Sequence, residues 1–151
     1  MSKQAKRYIV ADKISEDYQK FRVGFSLFNK LCRKASDPVK AILLAPTKHS
    51  LDDDTSLADF LCSYNRRSIV EDLRDGREVI LPCGIPFSLE TTQSFSDSGG
   101  PLIILAVYTS AGMLAKIDEA KNLQAVIVVP GRAGDVAQWK QEWKPIAVSD
   151  F

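Results

Sequence analysis

Residues 102–129 read LIILAVYTSAGMLAKIDEAKNLQAVIVV, and the fold turns on how they are understood. Leu102 to Val107 is an unbroken apolar run, and so is Ala125 to Val129. A half-exposed strand alternates apolar and polar residues, whereas an unbroken run of this length suits a strand covered on both faces. Between the two runs, Met113, Leu114 and Ile117 recur at helical spacing. Ser110 to Lys121 is therefore predicted as an amphipathic helix, with Ser110 as its N-cap. Strand, helix and strand in so short a span form a parallel crossover unit, which is right-handed.

The same alternation extends outward. Upstream, Val39 to Ala45 is a third and nearly continuous apolar run, interrupted by Lys40. Before it, Ile14, Tyr18, Phe21, Phe25, Phe28 and Cys32 recur at steps of four and three, marking a long helix. Ser15 is placed to cap that helix, Glu16 and Asp17 to favour its dipole, and Ser36-Asp37-Pro38 to end it. Downstream, Gly131 to Trp143 is predicted as the last helix, with Val136, Trp139 and Trp143 on one face, and Ile146 to Val148 as a terminal strand. The stretch from Thr55 to Gly76 is either one long helix or two short ones, since Asn65-Arg66-Arg67-Ser68 interrupts its apolar face. Glu78 to Leu81 is expected as a buried strand, and Ile85 to Gly100 as a long loop holding at most one strand around Phe87–Leu89. The expected fold is a three-layer, Rossmann-like α/β sandwich in one domain, residues 1–151. Its sheet is mainly parallel, with about five or six strands and helices on both faces.

Composition narrows the function classes. In a chain of 151 residues, 45% hydrophobic and 26% charged, a core forms without staples, which excludes collagen, coiled coil and wholesale disorder. The net charge of +1 supplies no global field, so nucleic acid is an unlikely partner. The charges are nonetheless uneven. Residues 1–40 carry 10 basic and 4 acidic groups, residues 41–100 carry 5 and 10, and the remainder carries 5 of each. Such a split either forms a basic patch for a phosphate-bearing partner or cancels on folding. Cys32, Cys62 and Cys83 are odd in number with no CxxC, pointing to reduced thiols rather than disulfides or zinc. Tyr8 to Val10 is too short for a signal-peptide core and Pro101 to Tyr108 too short to cross a bilayer. A cytoplasmic protein without membrane contact is expected.

Candidate chemistry is sought where open α/β sheets bind ligands, beyond the carboxyl ends of the strands. The loops there supply Lys48 and His49, Cys83 and Gly84, Thr109 and Ser110, and Gly131 and Arg132. They share one edge only if every strand is parallel. Pro130-Gly131-Arg132-Ala133-Gly134-Asp135 joins glycines, a helix start and an arginine, suiting either a phosphate or carboxylate site or a plain tight turn. Thr109 and Ser110 put two hydroxyls at a second helix start, where Ser110 also serves as an ordinary cap. His49, the sole histidine, is a candidate acid–base group beside Lys48, or else an exposed loop residue. Cys83 is a candidate nucleophile with His49 as its base, or else a small buried hydrophobe. Asp52-Asp53-Asp54 favour a helix start; consecutive residues point apart, so no metal site is inferred. Ser98-Gly99-Gly100 is a flap or an entry loop, and the Trp139/Trp143 pair a core stripe or a stacking platform. No Walker loop, GxGxxG or GxSxG motif occurs, and no cofactor is implied.

Two functions fit these residues. The first is a binding module that recognises a small anionic ligand, nucleotide- or phosphate-like, or a partner protein. The second is a small hydrolase or transferase on a phosphorylated or nucleotide-like substrate, using Lys48, His49, Thr109, Ser110 and Arg132. Binding of nucleic acid through Lys20, Lys30, Arg33 and Lys34 is the third and least favoured.

Overall fold

A computed structural model describes residues 5–11, 13–14, 16–35, 39–52, 55–64, 68–95, 100–131 and 133–149. Its strands are β1 (Lys6–Val10), β2 (Lys40–Ala45), β3 (Val79–Ile80), β4 (Pro86–Thr91), β5 (Leu102–Thr109), β6 (Leu123–Pro130) and β7 (Ile146–Val148). Its helices are α1 (Asp17–Lys34), α2 (Ser56–Tyr64), α3 (Ser68–Arg74), α4 (Ala111–Asp118) and α5 (Ala133–Trp143), with a 3-10 turn at Lys48–Leu51.

All seven strands share one sheet in the order β3-β4-β2-β5-β6-β1-β7. The three apolar runs lie side by side and parallel, with Ile42 level with Ile104 and Ile104 level with Val126. Their side chains alternate between two cores. Ala41, Leu43, Ile103, Leu105, Val107, Ile127 and Val129 face α1, α2 and α3. Ile42, Leu44, Ile104, Ala106, Val126 and Val128 face Met113, Leu114 and Ile117 of α4 and Val136 and Trp139 of α5. Each run is thus apolar at consecutive positions because both neighbours in sequence are buried, on opposite sides.

The α1 side is the aromatic one. Phe25 packs edge-on to Phe28 and Phe87 at ring-centroid distances of 6.1 and 6.0 Å, and tilted on Phe60 at 5.2 Å. These are favourable ring geometries. Gly24 lets α1 approach the centre of the sheet: a Cβ there would lie 3.0 Å from Val129 Cγ2 and 3.2 Å from Leu105 Cδ1.

Four expectations are corrected. Glu78–Leu81 is not a strand covered on both sides: β3 has two residues, runs antiparallel to β4, and leaves Ile80 56% exposed at the sheet edge. The strand allowed for around Phe87–Leu89 is present but longer, as β4, parallel to β2, and it raises the expected five or six strands to seven. Its apolar residues Phe87 and Leu89 are buried, while Ser88 between them and Glu90 after them are partly exposed. That is a period-two pattern, only three residues deep. The first helix begins at Asp17 behind Glu16, which makes no side-chain cap bond; Ser15 lies outside the described residues. The last helix begins at Ala133, after Gly131 has served the turn. The stretch between Thr55 and Gly76 resolves into two helices.

Candidate functional site at the carboxyl edge

The topology places two reversals at the carboxyl edge of the parallel strands. From β2 the chain leaves toward the α1 side, to α2, and from its neighbour β5 toward the other side, to α4. The adjacent pair β1 and β6 does the same, through α1 and α5. Crevices form at such points because the outgoing chains diverge and helix N-termini converge.

The end of β5 is the most unusual part of this edge. Tyr108 has φ +50°, the left-handed region that few non-glycine residues adopt, and the pairing with β6 is irregular there. Val107 is level with Val129, and Thr109 with Pro130, so one extra residue is absorbed at Tyr108. A bulge of this kind re-aims the side chains that follow it. Tyr108 is anchored on the α1 side, edge-on to Phe21 at 5.6 Å. Burial raises its phenol pKa, opposed by a hydrogen bond with the Leu57 backbone, and the charge of Asp17 adds to the rise. Gly131, just after β6, packs on the same spot: a Cβ on it would lie 3.3 Å from Tyr108 Cα, a tight contact for which the backbone would have to yield slightly.

Thr109 consequently sits 1% exposed, and its Oγ1 has no hydrogen-bond partner among the described residues. A buried hydroxyl left in that state costs about 1–3 kcal/mol. Ser110 follows as the N-cap of α4, with extended backbone and an Oγ that accepts from the Met113 N–H at 3.3 Å. The first turn of α4 has no acidic side chain to neutralise its positive end. Thr109, Ser110 and Gly131 therefore meet where two strands end and two helices begin. Arg132 lies outside the described residues.

The remaining candidates are dispersed. Lys48 and His49 occupy the 3-10 turn after β2, at the same edge. The His49 side chain is 85% exposed; its Nδ1 lies 3.2 Å from Asp52 Oδ2, and its backbone N–H donates to Thr47 Oγ1. Asp52 also pairs with Arg74 at 3.4 Å. Asp53 and Asp54 lie outside the described residues, among which no group of three or more His, Cys, Asp or Glu could hold a metal ion. Cys83 is the clear correction: because β3 is antiparallel, the turn carrying Cys83 and Gly84 lies at the amino edge, opposite His49. There the Cys83 N–H donates to Asn29 Oδ1 at 2.9 Å. Its neighbour Cys32 is fully buried, and burial, reinforced by Cys83, pushes that thiol up to about 12. All three cysteines are unbridged. Of the entry loop, Ser98 and Gly99 lie outside the described residues.

A further cluster went unmarked in sequence. At the amino edge, Asp118 at the end of α4 accepts from the Trp139 and Trp143 indoles, at 3.3 and 3.0 Å, and pairs with Arg7 of β1 at 3.4 Å. The Arg7 guanidinium lies 3.6 Å from the Trp143 ring centroid. The tryptophan stripe was visible; the arginine and aspartate that complete it come from remote parts of the chain. Three surface depressions, of about 310, 170 and 430 Å³, are lined by residues other than Lys48, His49, Thr109, Ser110 and Gly131. Among the described residues no helix is long and apolar enough to cross a membrane. No protein-family model, curated protein or solved structure matches this chain.

Proposed function

We propose that this protein is a non-catalytic binding module that takes a small anionic ligand, of phosphate or nucleotide type, at the carboxyl ends of β5 and β6. The observation that carries this is Thr109 Oγ1, a buried hydroxyl without a partner beside the α4 N-terminus. A group that costs stability and serves no internal bond is accounted for if a ligand completes it. Helix N-termini favour anions through their unpaired N–H groups and dipole, and Gly131 allows backbone to approach. The enzyme alternative draws less support, since His49 is almost fully exposed and Cys83 lies at the other edge. The three unbridged thiols support a reducing, cytoplasmic setting.

The test compares wild type with Thr109→Val in thermal melts with inorganic phosphate, AMP and ATP. Val keeps the shape and removes the hydroxyl. Wild type should be stabilised by at least one of these anions, while Thr109→Val should melt higher when unliganded and lose the ligand-induced shift. Equal shifts in both proteins, or none in wild type, would remove this assignment.

A further inference from the structure

We propose a second, independent binding site at the amino edge of the sheet, where β1 and β7 begin, for an organic monocarboxylate with a compact apolar body. The cavity there measures about 310 Å³, at the small end of ligand pockets. Tyr8, Trp143 and Ile146 give it apolar walls, and Lys6, Arg7 and Lys144 supply cationic groups. Ile146 is 58% exposed, so its apolar surface is available for a ligand body to cover.

The charges are arranged for an anion. Arg7 has only 10% of its side chain exposed; its Nη1 donates to the Ala5 carbonyl, its Nη2 to Asp118, and its Nε has no partner. Asp118, the carboxylate beside these cations, is already engaged by Arg7 and both indoles. Among the described residues neither Lys6 nor Lys144 has an ion-pair partner. Three cations against one committed carboxylate leave net positive charge around a hollow of mixed polar and apolar surface. A carboxylate meets that charge while its hydrocarbon part covers the walls; inorganic phosphate would leave the walls wet.

Lys144 provides a separate indication. It follows α5 with φ +47°, the position and conformation at which helices usually place glycine. Lysine there is strained in backbone, although its charge suits the negative end of the helix dipole. Strain of this kind is retained at ligand clamps. Here the residue in that conformation lines the cavity.

The experiment titrates the ¹⁵N-labelled full chain with phenylacetate, its neutral analogue phenylacetamide, and inorganic phosphate. The Trp143 indole N–H signal is the reporter, and Trp139, 5% exposed, is the internal reference. Phenylacetate should shift Trp143 saturably, phenylacetamide should bind about tenfold more weakly or worse, and phosphate should not compete. Lys144→Gly should fold at least as well as wild type and bind phenylacetate about tenfold more weakly. Lys6→Ala, at an exposed strand start, gives a second measure in the same direction. Equal binding of acid and amide, competition by phosphate, wild-type affinity in both variants, or an unmoved Trp143 signal at millimolar phenylacetate would each overturn the proposal. The two sites lie at opposite ends of the strands, so either can fail without the other.

Discussion

At the carboxyl edge a buried hydroxyl, Thr109 Oγ1, is left without a partner, whereas at the amino edge Asp118 collects an arginine and two indole N–H groups. Both edges join the sheet to α4 and α5 and each buries one unpartnered side-chain atom, Arg7 Nε at the amino edge and Thr109 Oγ1 at the carboxyl edge, but only the amino edge also builds a polar network. The amino edge uses its network as a clamp: β1 and α4 contribute one side chain each and α5 two, so breaking it uncouples three elements. At the carboxyl edge Gly131 lies close against the Tyr108 backbone, and the nearby Thr109 hydroxyl has no hydrogen-bond partner among the described residues. A partnered group is explained by stability. An orphaned one asks for a ligand.

This contrast can be broken most severely at Asp118. Asp118→Ala would leave Arg7 and both indoles without their acceptor, and a loss of about 3 kcal/mol is expected by denaturant unfolding. A loss below about 1 kcal/mol would show that the network is not a clamp. Next in size is Gly131→Ala, whose Cβ would press on the Tyr108 backbone; a loss of about 2 kcal/mol is expected, together with lost anion binding. Thr109→Val has the opposite sign, a gain of about 1 kcal/mol with loss of the ligand response. A destabilised Thr109→Val protein would mean that the hydroxyl has an internal role after all. The smallest effect belongs to His49→Ala. With the side chain 85% exposed, its pair with Asp52 should be worth under about 0.5 kcal/mol, and anion binding at β5 and β6 should be unchanged.

The strand–helix–strand unit of residues 102–129 could be read directly because burial on both faces leaves a local record: every position must be apolar. The same reasoning found β2, and the helical stripe of Phe21, Phe25 and Phe28 found α1. β4 was harder because only Phe87 and Leu89 point into a core, and a period of two needs more repeats to stand out. β3 had no legible direction, since two residues look the same read either way. That small uncertainty misplaced Cys83 by the full length of a strand. Thr109, Ser110 and Gly131 were legible as strand-end residues, but whether a hydroxyl is satisfied depends on neighbours that only folding supplies. Arg7 and Asp118 stand 111 positions apart, and no spacing rule connects them.

By itself, the sequence determined the layered α/β architecture and which residues fill its interior, because hydrophobic periodicity is set by each segment's own immediate environment. Tertiary structure alone decided strand order, the antiparallel edge, the bulge at Tyr108 and the company kept by each polar group. Those are relations between segments distant along the chain, and their free energies exist only once the segments have been brought together.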